Sequence, residues 1–287
     1  MIYLLIVSLI WAFSFGLIKT NLTGLDPVFV SFLRLFISLL VFLPFLRLGG
    51  LSRKTICALV GTGAVQYGVM YLTYIYSYQY LQSYEIALFT VFTPIFVTFT
   101  NDLINKKVNK IFLLSAVIAV AGAGIILYKN LDSENFIAGF LLIQISNICF
   151  AAGQIFYSKI KSGISEISNH SIFGLLYLGA VMVTFITGIF SIDFDRTSLS
   201  NDQFWTLIYL GIVSSGIAFY LWNVGATKVN AGVLAIFNNL KIPLAMSVSI
   251  FIFGESGDIF NLAIGAIIIL SALLINQRFL ENRKLFG

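Results

Sequence analysis

Ten apolar runs, each roughly 20 residues long, fill almost the whole chain, with only short polar breaks between them. They lie near 2–18, 28–46, 56–78, 84–101, 111–128, 136–157, 170–190, 203–224, 231–253 and 259–277. A helix rising about 1.5 Å per residue crosses a hydrocarbon core of about 30 Å in that length. Inside lipid the backbone finds no water, so each run must satisfy its own N–H and C=O groups. Helices do this; a closed β-barrel would show two-residue alternation, and these continuous runs do not. The expected fold class is therefore an all-α membrane protein of ten transmembrane helices. Of 287 residues 59% are hydrophobic and 10% charged, against about a quarter charged in a soluble domain. The connections leave no room for an appended soluble domain. "MIYLLIVSLIWAFSFGLIKT" has neither a basic leader nor an A-x-A-like cleavage site, and reads as a retained first span. Cys57 and Cys149 fall in different apolar runs, so no disulfide framework is indicated.

Orientation follows from where lysine and arginine fall. With the N-terminus in the cytoplasm, twelve of the seventeen cations lie on the cytoplasmic side, among them Arg47, Arg53, Lys54, Lys106, Lys107, Lys159, Lys161 and Lys228. Three, Lys19, Lys129 and Arg196, lie outside, and Arg34 and Lys241 remain within spans. Eight of the twelve acids fall on the outer side. An error in the span count would scramble this asymmetry. Both termini are thus expected in the cytoplasm, and the net charge of +5 is a matter of topology that requires no nucleic-acid partner.

The chain also repeats itself. Aligning Pro94 with Pro243, an offset of 149 residues, sets Tyr71 on Tyr220 and Leu72 on Leu221. The basic "NKKVNK" after the fourth span then meets the acidic "GESGDI" after the ninth. Opposite charge at matching positions is what two five-span halves of opposite topology require. Residues 1–132 and 133–287 are accordingly read as an inverted 5+5 repeat in one membrane domain around a central cavity, a common design of alternating-access carriers.

Several segments carry a family resemblance. "LIWAFSFGLIK", "PVFVSFLRLFISLLVF", "EIALFTVFTPIFVTFTNDLINKKVN" and "GVLAIFNNLKIPLAMSVSIFIFGES" are similar to the drug/metabolite transporter superfamily, specifically its EamA-type permeases. The resemblance covers nearly the whole chain through diffuse motifs. It implies ten helices around a central cavity and the export or uptake of small metabolites such as amino acids. Lys241 departs from the small or apolar residues that the family usually carries mid-way along the ninth span.

That lysine is the foremost site candidate. About ten residues into its span, it sits about 15 Å deep, near the midplane. An ammonium there costs about 2.5–3.5 kcal/mol on insertion scales and marks a functional position, or else ties helices together through an acid or a helix end. Asn238 is one turn earlier on the same face, with a donor and an acceptor to offer, and Pro243 can free a carbonyl. Glu85 opens the fourth span. Burial and a neighbouring lysine act on a carboxyl in opposite directions, which makes it the candidate for proton coupling; a water-exposed interfacial acid is the plainer alternative.

Tyr67, Tyr71, Tyr74 and Tyr78 share one helical face of the third span, as aromatic packing or as a cavity wall, with Tyr71 best placed by depth. Gln144, Asn147, Ala151 and Gln154 share a face of the sixth span that lipid will not accept, facing substrate or neighbouring helices. Trp11 and Ser14 form a similar pair in the first span. Arg34, with Ser31 and Ser38, is a candidate for anion binding or for a structural role. His170 is expected at the surface, and Gly122, Gly124 and Gly265 in close helix packing.

No Walker motif, metal-spaced Cys/His set or nucleophile–base pair is present, so no cofactor, no metal and no enzyme are expected. The leading reading is a secondary carrier for a carboxylate metabolite such as an amino acid. Lys241 would meet the carboxylate, Asn238, Gln144 and Asn147 the polar groups, and Tyr71, Trp11 and Ser14 the remainder. The partners implied are a small molecule, the bilayer and, through Glu85, protons; a monomer suffices, with oligomeric state open. Alternatives are an exporter of cationic drugs or amines, and a membrane-embedded enzyme on lipid-linked metabolites using Asp193, Asp195 and Asp202. A bacterial cytoplasmic membrane fits the compact loops.

Overall fold

The computed structural model of the protein describes residues 2–105, 118, 134–229, 231–254, 259, 260, 263, 264, 267, 268 and 271. Helices dominate these residues, and no strand occurs among them. Among the described residues, seven helices are long and apolar enough to cross a membrane: Ile2–Leu22, Pro27–Phe45, Arg53–Ser77, Ser83–Ile104, Phe136–Ser162, Asn169–Ser191 and Asn201–Ala226. They correspond to the predicted spans one to four and six to eight. The helix Ala231–Phe251, 21 residues long, is the predicted ninth. The predicted fifth and tenth spans, with Gly122, Gly124 and Gly265, fall outside the described residues apart from isolated positions of these spans.

Local chemistry sets the helix ends. Asp26 accepts from the N–H groups of Val28 and Phe29 at 2.9 and 2.8 Å, with Pro27 in the first turn where no amide donor is needed. Ser52 accepts from Thr55 N–H at 3.1 Å and starts the third span. Ser200 and Gln203 close a capping box at the start of the eighth. Within the fourth span, Ser83–Phe89 gives way to a 3₁₀ turn, Thr90–Phe92, before the helix resumes at Thr93. Pro94 lacks the N–H that would bond to the Thr90 carbonyl, four residues back, so the ladder breaks there. The third and eighth spans each contain a wide π-helical stretch, Ala64–Val69 and Leu210–Ile217.

The outer surface is apolar: Leu9, Phe13, Leu40, Leu141, Ile148, Phe185 and Ile189 are all exposed. The polar side chains point inward, with Ser8, Ser31, Arg34, Gln66, Gln154, Ser215, Asn223 and Lys241 all buried. That is the arrangement a hydrocarbon solvent selects. The principal packing pairs are first with eighth and ninth, sixth with third and fourth, second with seventh and eighth, seventh with third, and fourth with ninth.

At the crossing of the third and seventh spans the backbones nearly touch. A Cβ on Gly63 would collide with the Leu176 backbone, and one on Gly179 with the Val60 carbonyl. Small residues allow such approach where no hydrophobic effect drives helices together. Gly61, two residues from Gly63, has nothing within 4 Å of its would-be Cβ. Gly179→Val should therefore cost at least about 1–3 kcal/mol through overpacking, read as a fall of several degrees in the apparent Tm in detergent, while Gly61→Val leaves it within error.

Candidate functional site

A cavity lies between the spans, with about 530 Å³ of atom-free space when the part open to solvent is included. Trp11, Ser14 and Phe15 face it from the first span, Arg34 from the second, and Met70, Tyr71 and Tyr74 from the third. Thr90 and Thr93 border it at the break in the fourth span; Ser146, Asn147 and Phe150 come from the sixth. Ser214 and Phe219 follow from the eighth and Lys241 from the ninth. Six of the nine predicted site residues meet here: Lys241, Tyr71, Trp11, Ser14, Asn147 and Arg34.

Lys241 is buried, and among the described residues no hydrogen bond or ion pair engages its ammonium group. Its Nζ lies over the Trp11 ring at 5.1 Å and the Phe150 ring at 5.7 Å. Trp11 continues into an aromatic cluster, 4.8 Å from Phe219 and 4.9 Å from Trp222 between ring centres. Desolvated cation–π contacts of this kind contribute about 2 kcal/mol or more, less than the loss of water around an ammonium.

Arg34, 1% exposed, is the second cation. Its Nε donates to Ser215 Oγ at 3.1 Å and its Nη2 to the Tyr71 hydroxyl at 3.2 Å. The Tyr71 hydroxyl in turn donates to Ser215 Oγ at 2.7 Å, which closes a triangle across the second, third and eighth spans. Arg34 Nη1 has no partner. Among the described lining residues there are two cations and no Asp or Glu.

The other polar groups are largely spent on one another. Trp11 Nε1 donates to the Ser214 carbonyl at 3.1 Å, and the Ser14 and Ser214 hydroxyls share a hydrogen bond of 2.6 Å. Asn147 accepts from Thr93 at 3.0 Å and donates to the Phe89 carbonyl at 2.8 Å. The π-helical stretch of the eighth span makes part of this possible. A wide turn leaves carbonyls open to side chains, and Ser38, Trp11 and Tyr177 donate to the carbonyls of Gly211, Ser214 and Ser215 respectively.

Three predicted residues do not line the cavity. Gln144 stands behind it, accepting from Asn147 Nδ2 at 3.2 Å, with its own Nε2 unpartnered. Asn238 is fully buried, donates to the Leu234 carbonyl at 3.1 Å, and leaves its Oδ1 unpartnered. Glu85 accepts from the Gln82 N–H at 2.9 Å in the capping box that starts the fourth span. Of the tyrosine stripe, Tyr71 and Tyr74 reach the cavity. Tyr67 stacks on Tyr177 at 5.4 Å, and the Tyr78 hydroxyl bonds to that of Tyr74 at 2.8 Å. Gln154 serves the helix interface, accepting from Trp222 Nε1 at 2.9 Å. His170 is exposed beside Ser168, as expected.

Sequence reasoning passed over Ser214 and Ser215, two hydroxyls inside the apolar "LGIVSSGIAFYLW". It also passed over Gln66 and Asn223, whose amides pair at 3.0 and 3.4 Å. The signal was the same that singled out the sixth span, polar groups within an apolar run.

Comparison with known proteins gives a consistent picture. The family model of the EamA-like transporter family matches residues 1–128 and 137–277. A protein named a biotin transporter in Escherichia coli K12 is 36% identical over 286 residues, covering 99% of this chain and 95% of its own. A probable biotin transporter of Pseudomonas aeruginosa is 36% identical over 277 residues, 96% of each chain. A solved crystal structure of a protein 15% identical shares the fold, with a TM-score of 0.70 over 97% of this chain and 96% of the other.

The bare ammonium yields a stability prediction. A buried charge without a counter-ion opposes folding, and apolar replacement of buried ionic groups is often neutral or stabilising. Lys241→Met should leave the apparent Tm of the ligand-free protein unchanged or raise it by a few degrees. A drop of several degrees would instead make Lys241 a helix tie.

Proposed function

The chain belongs to the EamA-like transporter family, and on that premise we propose that it carries a biotin-type carboxylate across the membrane by alternating access. It is a multi-pass protein of the bacterial cytoplasmic membrane, a transporter and not an enzyme. The observation that carries the substrate reading is the charge of the cavity: Lys241 and Arg34 face it, and no acid does among the described residues. An anion supplies the counter-charge that the protein withholds. Biotin, for which the relatives are named, is a carboxylate with an uncharged ring head, and the wall of Trp11, Phe150 and Phe219 suits its apolar body. An amino acid also has a carboxylate, but its ammonium would face two cations with no acid among the lining residues. A cationic drug would meet the same field.

Ten spans in two inverted halves are part of this reading. The two stretches matched by the family model fall on the two halves, 1–132 and 133–287. Replacing each span by the one five later turns the principal packing pairs into one another: first–ninth becomes sixth–fourth, second–eighth becomes seventh–third, and third–sixth becomes eighth–first. The π-helical stretches support it too, since Ala64–Val69 moved by 149 positions overlaps Leu210–Ile217. So does chain direction. The end of the first span is held by Lys19 bonding to the Tyr78 and Leu81 carbonyls, where Gly139, near the start of the sixth, also packs. The cavity at the interface of such halves opens to each side in turn as they rock. Glu85 is kept as the coupling group, because its protonation would weaken the bond it accepts from the Gln82 N–H and so link titration to the position of the fourth span.

In proteoliposomes the wild type should accumulate biotin, and biotin should raise its Tm by mass action. Lys241→Ala should weaken binding at least about tenfold, the worth of a hydrogen bond to a charged group, while the protein stays folded; unaltered uptake would remove Lys241 from the site. Glu85→Gln should bind biotin normally yet lose the response of uptake to an imposed pH gradient.

A further inference from the structure

Resting on that reading of the cavity and deepening it, we propose that Arg34 selects the uncharged head of the substrate. Its unpartnered, buried Nη1 donates to a neutral carbonyl oxygen, while Lys241 holds the carboxylate at the other end. The substrate class is then a molecule with a carboxylate at one end and a urea- or amide-type carbonyl at the other.

The assignment of ends comes from which donors are already in use. The Nε and Nη2 edge of Arg34 is closed by the hydroxyls of Ser215 and Tyr71, which also bond to each other. The guanidinium is further fixed over the Tyr71 ring at 4.9 Å. What it offers a ligand is Nη1, left without a partner, beside the second N–H of Nη2. That edge belongs to a guanidinium already tied to two hydroxyls, and it suits a neutral carbonyl oxygen. Among the described residues nothing hydrogen-bonds or ion-pairs with the Lys241 ammonium, so the carboxylate gains most there. The triangle explains a second feature. A guanidinium held by three spans and wrapped in protein cannot swing away, so a ligand whose head is itself cationic meets fixed like charge. Selectivity thus comes from repulsion as well as attraction. Ser215 does not line the cavity and acts as a positioning residue through Arg34.

The test uses the full-length protein in nanodiscs and equilibrium binding of labelled biotin, with three competitors. These are unlabelled biotin, iminobiotin (a guanidinium replaces the urea) and biotin amide (the carboxylate is neutralised). On the wild type at neutral pH, iminobiotin should compete at least about a hundredfold less well than biotin, because like charges meet in a desolvated site. Arg34→Gln should shrink that ratio at least about tenfold and leave the biotin-to-amide ratio in place. Lys241→Gln should do the reverse. Ser215→Ala should move the iminobiotin ratio in the same direction as Arg34→Gln, by less.

Equal weakening of all three ligands by Arg34→Gln would make Arg34 structural and overturn the inference. So would iminobiotin rivalling biotin on the wild type, or the two substitutions exchanging their effects. If Arg34→Gln yields no folded protein, Tyr71→Phe and Ser215→Ala decide by the same ratio, an unchanged value counting against. Absence of any biotin binding by the wild type would instead overturn the carrier reading, and the inference with it.

Discussion

A polar group inside a bilayer must find its partner within the protein, and this single constraint organises the molecule. Lipid offers no hydrogen bonds, so helices form to satisfy the backbone and then turn their polar faces toward each other. Among the described residues, large apolar side chains face outward, and the interior holds amides, hydroxyls and two cations. Most of the interior groups are consumed by links between spans: Gln66 with Asn223, Gln154 with Trp222, Ser14 with Ser214, Thr93 with Asn147. These links bind helices far apart in the chain. They also define by elimination what remains for a ligand.

What remains is mainly positive charge. Partnering uses the neutral polar groups well, but among the described lining residues no acid answers Lys241, and Arg34 Nη1 has no partner. A buried cation without a counter-ion is poor structural material, because burial weakens its solvation while its attraction to nothing in particular returns little. The same property makes it good recognition material. A carboxylate arriving there removes the imbalance, and the binding energy is concentrated on one kind of ligand. Irregular helix geometry supplies the surroundings: the break at Thr90–Phe92 borders the cavity, and the wide turn at 210–217 places Ser214 on its wall and opens carbonyls to side chains of other spans.

How much of this was legible in the chain differs by residue. Lys241, Trp11, Ser14, Tyr71, Asn147 and Arg34 were found as polar or aromatic groups at helical spacing within apolar runs, and the cavity gathers all six. Asn238, Gln144 and Glu85 carry the same signature yet stand off its wall. Periodicity gives a residue's face on its own helix, and these faces are all inward. It does not say whether the inward neighbour is space, another amide or the helix's own first turn, which is how Glu85 became a cap. Ser214 and Ser215 escaped for a related reason. Serine in an apolar helix usually bonds back to its own carbonyls, as Ser8 and Thr184 do here, so its presence alone is a weak sign.

The sequence by itself determined that the chain is a bundle of membrane helices, which positions face inward, and that a cation is among them, because length, apolarity and period are local and additive. Only the tertiary structure decided which inward groups meet across spans and which are left over. Whether a donor is open depends on residues about 150 to 200 positions away, such as Ser215 beside Arg34 and Ser214 beside Ser14. A hydrogen bond has a reach of about 3 Å, and no periodicity along one helix encodes that distance to another.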